Sequence, residues 1–398
     1  MRISTAWAFN TNSQQLISLQ AQLNETNQQI ASGRKFLSAA DDPVAVARVH
    51  EINAALGRND QYQRNADFAL NRLSLEEQAL KDTGELLQRA RELGVQSLSD
   101  ALSPGDRAMI ASEIRDSLEH LMQLANSRDG DGNYLFSGYS VETQPFTRTA
   151  AGVTYQGDQG QRLLQISETR QIADGDPGSL VFEQVPTGNG TFVTNADLAN
   201  VGTGVIGEGS VLDPAVPFDG PYDISFPTPD TAEVRNGSGV LIATTPFTEG
   251  TSIQFDGLAV EIDGAPAAGD SFQVTASSTQ DIFTTLELFA QALESPPADP
   301  AARAQFNNAV NNTLADVDQG IDTILRTRAK VGSRLTAIEQ QIDSNENFSL
   351  VLNENLSSLQ DVDLTEAVTR LTLQATSLEA AQASFTRIQG LSLFNYLR

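Results

Sequence analysis

The chain has 398 residues, enough for two or three domains with separate cores, a formal net charge of −26 and no cysteine. The excess of carboxylates repels nucleic acid and anionic lipid, and the missing cysteines exclude disulfides and thiolate metal sites. Neither an apolar run of about 18 residues nor the apolar core of a cleaved secretory signal is present, so we expect no membrane insertion and an export route without a cleaved peptide.

The first predicted element is a helix in residues 1–40 whose apolar side chains recur every seven positions. The series consists of Phe9, Leu16, Leu23 and Ile30, with Asn12, Leu19 and Thr26 at the intermediate positions. Such heptads predict a coiled-coil seam that needs a partner helix. Because a helix of about 20 residues is marginal alone in water, we expect this segment to be disordered in the free monomer and to fold on assembly.

Two adjacent carboxylates, Asp41 and Asp42, stand directly before Pro43. Gly33 is the predicted end of the first helix, and Asp42 is the predicted cap of a long second helix that begins at Pro43. Asp41 is expected to interact favourably with the dipole of that helix. The pair therefore predicts a joint between two helices and no acid–base site.

Residues 41–133 and 281–362 are predicted to form the first and second parts of a helical rod. Leucine, alanine, glutamine, glutamate and arginine dominate both segments, glycine is rare, and apolar side chains recur at helical spacing. The similar lengths of the two longest helices favour an antiparallel pair. A third helix is predicted after the favourable cap Ser103, with Pro104 at its first position.

Residues 134–280 predict a β-rich insertion between the two helical parts. Glycine, proline, threonine, valine and aspartate are frequent there, and Gly257 is a predicted turn or bulge within a strand pair. The predicted strands lie in GVTYQGD, RLLQIS, SLVFEQV, GTFVTN, YDISF, GVLIATTPF, SIQFDGLAVEIDG and DSFQVTAS. The polar, glycine-rich stretch 195–221 is predicted as irregular loops.

Residues 363–398 predict a second terminal assembly helix. Asp363 is its predicted cap, and Glu366 completes a capping-box pattern. Leu364, Leu371, Leu378 and Phe385 recur every seven positions and are predicted interface residues, and Leu391 and Leu393 are also assigned to the predicted interface. The chain is thus predicted to have an α+β fold, a long antiparallel helical rod with terminal coiled-coil helices and a central β-rich insertion domain.

Both histidines are predicted to lie on solvated helix faces. His50 and Glu51 begin a zinc motif, but Ala54 stands where the second histidine ligand is required. His120 has no second imidazole or carboxylate at ligand spacing.

A calcium-like run begins at Asp129, but it has neither the glycine at its sixth position nor the glutamate at its twelfth. A helix-to-strand turn is predicted there, with positive φ values at Gly130 and Gly132. Nucleophile-elbow and phosphate-loop motifs are absent from the sequence. No catalytic, cofactor-binding or metal-binding residue is therefore predicted.

Several motifs together resemble a known family. QIASGRKFLSAADDPVAVARV and LLQRARELGVQSLSD near the N-terminus, and SLEAAQASFTRIQGLSLFNYLR at the C-terminus, resemble the terminal helices of the bacterial flagellin family. Within the family, MRIST, DDP, GNYLFSGYSVETQPF, VTYQGDQG and SLFNYL look like the hook-associated members more than like filament flagellin.

This resemblance implies a structural, non-enzymatic protein without a cofactor. It would be exported by the flagellar type III system and would assemble outside the cell, through its terminal helices, as a ring that joins hook to filament. Implied partners are hook-associated protein 1, flagellin, further copies of the chain and a cytoplasmic export chaperone that binds around Ala375–Leu397.

Three alternative hypotheses remain open. Filament flagellin is the nearest, since a long central insertion also fits that protein. A secreted hydrolase would need a deep pocket containing His50 or His120. A secreted adhesin would bind glycans or cells through the β-rich insertion.

Overall fold

A computed structural model of the chain describes residues 5–150, 152–295 and 297–390. The α-helices are α1 (Thr5–Ser32), α2 (Pro43–Ser97), α3 (Pro104–Ala125), α4 (Ile282–Leu293), α5 (Pro300–Gln360) and α6 (Leu364–Gly390). The strands are β1 (Phe146–Thr149), β2 (Gly152–Tyr155), β3 (Leu163–Gln165), β4 (Gln171–Ala173), β5 (Val185–Pro186), β6 (Phe192–Ala196), β7 (Val205–Ile206), β8 (Ser210–Val211), β9 (Tyr222–Thr228), β10 (Thr231–Asn236), β11 (Leu241–Pro246), β12 (Ser252–Phe255), β13 (Leu258–Asp263), β14 (Ser271–Ala276) and β15 (Thr279–Gln280). A one-turn π-helix, Ser179–Glu183, precedes β5.

The chain divides into two compact units. The first comprises Met1–Arg64 and Ile342–Arg398, and the second comprises Asn65–Gln341. The predicted α+β class is confirmed, because helical segments flank a β-rich central region. The boundaries between the two units lie within α2 and α5. The boundaries of the predicted segments, in contrast, lie where predicted helices begin or end.

In the first unit, helices from the two ends of the sequence pack in antiparallel pairs. The α1 and α6 helices form one pair. The beginning of α2 and the end of α5 form the other, in which the buried Asn59 donates from Nδ2 to the carbonyl oxygen of Asn345 at 2.7 Å.

The helical part of the second unit is built on α2 and α5, which also run antiparallel here. Gly84 faces Ile324 and Gly94 faces Leu314, so the contacts move down α5 as they move up α2. The α3 and α4 helices pack against each other beside this pair. Helix α3 begins as predicted, since the Ser103 side chain accepts from the Asp106 amide in a capping box.

The described β-rich part of the second unit contains two larger antiparallel sheets and three two-stranded antiparallel pairs, β1-β2, β3-β4 and β5-β15. The larger sheet has the strand order β11-β10-β9-β14-β6, and the smaller one has the order β12-β13-β7, with β8 also paired to β13. Inward side chains from both sheets share one core of alternating apolar residues, among them Phe192, Phe226, Val260, Ile262 and Phe272. Gly257, at φ +74°, lies in the two-residue turn between β12 and β13, as predicted.

Several predictions for the β-rich part are wrong in detail. SLVFEQV is predicted as a strand, but Ser179–Glu183 forms the π-helix, because Val181 and Phe182 both point into the core and cannot alternate between two faces. Strands β1, β4, β10 and β15 lie outside the predicted strands. The stretch predicted as irregular contains β7 and β8. Of the two turn glycines after α3, Gly132 has a positive φ (+87°) and Gly130 does not.

Candidate assembly interface

The terminal helices α1 and α6 turn their apolar series towards each other. Phe9 and Phe385 lie with ring centroids 5.3 Å apart and an interplanar angle of 41°. The α1 residues Leu16, Leu23 and Ile30 are half-buried. The intermediate series follows the same face: Asn12 and Leu19 are half-buried and Thr26 is buried.

The matching face of α6 is covered over most of its described length. Ala367 is buried, and Leu371, Leu378 and Phe385 are half-buried. Leu364, the first predicted interface residue of this helix, is instead 56% exposed. The predicted residues Leu391 and Leu393 lie outside the described residues.

A second apolar surface runs along α6 away from α1. It is a shallow groove, called here the outward face of α6, lined by Val368, Thr369, Thr372, Leu373, Thr376, Ser377 and Ala380. Leu373 is 69% exposed and Val368 is 50% exposed. A helix surface that exposes large apolar side chains without charges marks a site for protein contact. The predicted heptads do not include this face, because threonine, serine and alanine occupy most of its positions and only Val368 and Leu373 are large apolar residues. The uncharged residues Val368, Thr372 and Thr376, each four positions apart, are the signal that could have identified it.

The joint between α1 and α2 has the cap geometry that its residues favour. Gly33 follows the last residue of α1 at φ +71°, a conformation that glycine adopts without strain. Oδ1 of Asp42 accepts from the amides of Val44 and Ala45 at 3.1 and 2.9 Å, and Pro43 is the first residue of α2.

A matching joint connects α5 to α6. Oδ1 of Asp363 accepts from the amides of Thr365 and Glu366 at 2.9 and 3.1 Å. In the predicted capping box, the Glu366 carboxylate would accept from the Asp363 amide. It instead lies 2.8 Å from Nη2 of Arg370, in an i,i+4 ion pair.

The two joints are held together by backbone hydrogen bonds. The Lys35 amide donates to the carbonyl oxygen of Gln360 at 2.7 Å, and the Val362 amide donates to that of Gly33 at 2.9 Å. Arg34 and Asp361 form an isolated antiparallel bridge between these bonds. This pairing joins positions more than 300 residues apart, so no local sequence signal could reveal it.

Asp41 has a different role from the one expected. Its Oδ2 accepts from the amides of Leu37 and Ser38 at 2.9 and 2.8 Å. These two hydrogen bonds hold the pKa of Asp41 below its ordinary value, because they favour the ionised carboxylate. Asp41 therefore fixes the turn that precedes α2 and does not act through the helix dipole alone.

Neither histidine lies in a cleft. His50 on α2 and His120 on α3 are both exposed on helix surfaces. The hydrolase hypothesis required one of them in a deep pocket, so it loses its premise. Within the described ranges, no group of three or more histidine or acidic side chains could hold a metal ion, and no helix there has the length and apolar content needed to cross a membrane.

Comparisons with known proteins agree with this arrangement. The family model of the bacterial flagellin N-terminal helical region matches residues 3–141, and that of the C-terminal helical region matches residues 314–397. The flagellar hook-associated protein 3 of Escherichia coli (strain K12) is 25% identical over 99% of this chain and 99% of its own length.

Solved structures give the same result. The FlgL structure from Xanthomonas campestris is 35% identical, covers 77% of this chain and 99% of its own, and superposes with a TM-score of 0.72. The flagellar junction protein FlgL from Legionella pneumophila is 28% identical, covers 79% of this chain and 99% of its own, and also has a TM-score of 0.72. The chain therefore belongs to the bacterial flagellin family, within the group of flagellar hook-associated protein 3.

Proposed function

We propose that this chain is a structural adaptor at the hook–filament junction of the bacterial flagellum and that it assembles through α1 and α6. The observation that carries the assembly mechanism is the outward face of α6, a strip of uncharged side chains that remains exposed after α1 has covered the other side. A similar chain over nearly its full length is the hook-associated protein 3 of Escherichia coli, which supports the junction over filament flagellin.

The proposed partners follow from this place in the flagellum. Hook-associated protein 1 and flagellin would be the neighbours on the two sides of the junction, and copies of this chain would form the ring. An export chaperone would cover Ala375–Leu397 before type III export. Covering such apolar residues keeps an unassembled chain from aggregating, which is the physical reason to expect it.

The seam residues Phe9, Leu16, Leu23, Ile30, Leu371, Leu378 and Phe385 are proposed to stabilise the terminal helix pair within the assembly. Leu364 is instead proposed to contact a neighbouring subunit, since it is 56% exposed in the helix pair. Each fully buried leucine contributes roughly 1.5 to 3 kcal/mol, so half-buried ones leave the isolated pair only weakly stable. Assembly would supply the remaining burial.

The test is complementation of a strain that lacks this gene product. The full chain should restore motility and retain filaments on the hooks, whereas deletion of Ala375–Arg398 should leave a folded second unit that cannot join the flagellum. Normal incorporation of that truncated chain would refute assembly through α6.

A point variant separates the outward face of α6 from general damage. Leu373→Glu places a charge on that face, and Leu198→Glu places the same charge at a leucine that is 84% exposed in the loop after β6. Both variants should fold, but only Leu373→Glu should shed filament protein into the medium. Full function of Leu373→Glu, or equal loss in both variants, would contradict the proposal.

Self-assembly of the purified chain distinguishes the junction adaptor from filament flagellin. The adaptor should form at most short rings or caps with its neighbours, and electron microscopy would show this. Long filaments made by the chain alone would favour the flagellin alternative.

A further inference from the structure

A cluster of buried charged groups lies in the second unit, where α2, α5 and the segment after β4 meet. Nη1 of Arg72, on α2, lies 2.6 Å from Oδ2 of Asp129, and both side chains are buried. Asp174 pairs with Arg162, and its Oδ2 also lies 3.7 Å from Nε of Arg72.

The same cluster includes an ion pair from α5. Nη2 of Arg334 donates to Oδ2 of Asp176 at 2.5 Å, and Oδ1 of Asp176 accepts from Nε2 of Gln161 at 2.6 Å. The three guanidinium groups of the cluster are thus each paired with an aspartate carboxylate.

Glu76 is an acidic residue of the same cluster that belongs to none of these three ion pairs. Its side chain is 1% exposed, and its Oε1 accepts from the Asp176 amide at 3.1 Å. Its Oε2 is buried without a hydrogen-bond partner among the described residues. Among the described residues, no guanidinium or ammonium nitrogen lies within 4.0 Å of the Glu76 carboxyl oxygens.

We propose that Glu76 keeps its proton in the folded protein at pH values where an ordinary glutamate is ionised, and that loss of this proton releases the segment around Asp176 from α2. With a neutral Glu76 the cluster contains three guanidinium groups and three carboxylates. With an ionised Glu76 it would contain a fourth carboxylate, buried and facing that of Asp176. Burying an unpaired carboxylate costs far more free energy than burying a neutral carboxyl group, so the folded protein favours the protonated form of Glu76.

The electrostatic surroundings agree with this direction. Burial and the Asp176 carboxylate raise the pKa of Glu76 well above its ordinary value. Arg334 on α5 and Arg72 on α2 act in the opposite sense, as does the hydrogen bond from the Asp176 amide, and they do not cancel the effect of burial.

The segment that Glu76 holds also leads into the core. Gly178 donates from its amide to the carbonyl oxygen of Phe136 at 2.8 Å, and the π-helix that follows buries Val181 and Phe182. A proton on Glu76 therefore keeps the segment that enters this core in contact with α2. The folded-state pKa is raised, so the stabilisation is complete below the unfolded-state pKa and is lost as pH rises through the folded-state pKa.

Hydrogen exchange at the Asp176 amide, followed by NMR on the full chain, tests the proposal. In the wild-type protein the opening constant should rise about tenfold per pH unit between the ordinary pKa of a glutamate and that of Glu76 in the fold, after correction for intrinsic exchange. In Glu76→Gln, which keeps the shape and cannot ionise, the opening constant should not change with pH.

The neighbouring Glu77→Gln variant is the matched control. Glu77 lies one position away on α2 and pairs with Arg328 at 2.6 Å at a partly exposed site. This variant should keep the pH dependence of the wild-type protein. A wild-type opening constant that is flat with pH, or one that is equally steep in Glu76→Gln, would overturn the proposal.

A measurement on the unmodified protein keeps the proposal testable if Glu76→Gln does not fold. Carbon-13 NMR of the glutamate carboxyl groups should show one that remains protonated well above the ordinary glutamate pKa near 4.3. Titration of every glutamate near that ordinary value would refute a neutral Glu76.

Discussion

Replacing Gly94 by alanine tests how closely the helices of the second unit must approach. A Cβ atom at this position would lie 2.5 Å from Cδ2 of Leu314 and 2.9 Å from Cζ of Phe289. Leu314 is half-buried and has room to move, but Phe289 is fully buried in the core. Overpacking of this kind costs about 1–3 kcal/mol, while alanine favours the helix by about 1 kcal/mol, so the free energy of unfolding should fall by up to about 2 kcal/mol.

Gly84→Ala is the matched control on the same helix. Its Cβ atom would lie 3.7 Å from Cγ2 of Ile324, an ordinary van der Waals distance, so only the gain in helix propensity of up to about 1 kcal/mol remains. Urea unfolding followed by circular dichroism should therefore shift the two midpoints in opposite directions with similar m-values. Equal stabilisation in both variants would refute close packing at Gly94.

Three further predictions concern the caps and the chain ends. Asp42→Ala removes the acceptor for two α2 amides and should lower the free energy of unfolding by about 0.5–2 kcal/mol in thermal denaturation, whereas Asp60→Ala, at an exposed position within α2, should change it little. Hydrogen bonds from Ser103 hold the pKa of Asp106 below its ordinary value. The stabilisation by this carboxylate is therefore complete above the unfolded-state pKa and is lost as pH falls through the folded-state pKa. Asp106→Asn should flatten the acid side of the profile of Tm against pH, and an unchanged profile would contradict this. In the free monomer, NMR or limited proteolysis should find residues before about Arg34 and after about Asp363 mobile, and protection there equal to that of the second unit would contradict folding on assembly.

Local chemistry predicted the features that depend on a few neighbouring residues. The end of α1 at Gly33, the start of α2 at Pro43 and the capping box at Ser103 each follow from backbone conformation and one side-chain acceptor. The heptads on α1 and α6 likewise identified a face that needs cover, because periodicity depends only on spacing along one helix.

Features that depend on distant partners could not be predicted in this way. SLVFE has the composition of a strand, but the adjacent residues Val181 and Phe182 are both fully buried, which the alternating faces of a strand do not allow, and the segment forms a π-helix. Strand β10 has few apolar residues, of which Ala232 and Val234 are fully buried, and its pairing with β9 and β11 supplies the rest of its stability. Glu76 reads as an ordinary helix-surface glutamate until Asp176, one hundred positions later, is folded beside it.

A heptad series states that a helix face needs a partner, but it does not state which partner. In this chain α1 and α6 cover each other, so a seam variant such as Phe385→Ala would weaken the helix pair and the assembly together. The outward face of α6 has no such double role, because Leu373 is exposed when the pair is formed. A loss of function from a charge at Leu373 in a protein of unchanged stability therefore reports on the contact with a neighbour, and that variant separates assembly from folding where the seam residues cannot.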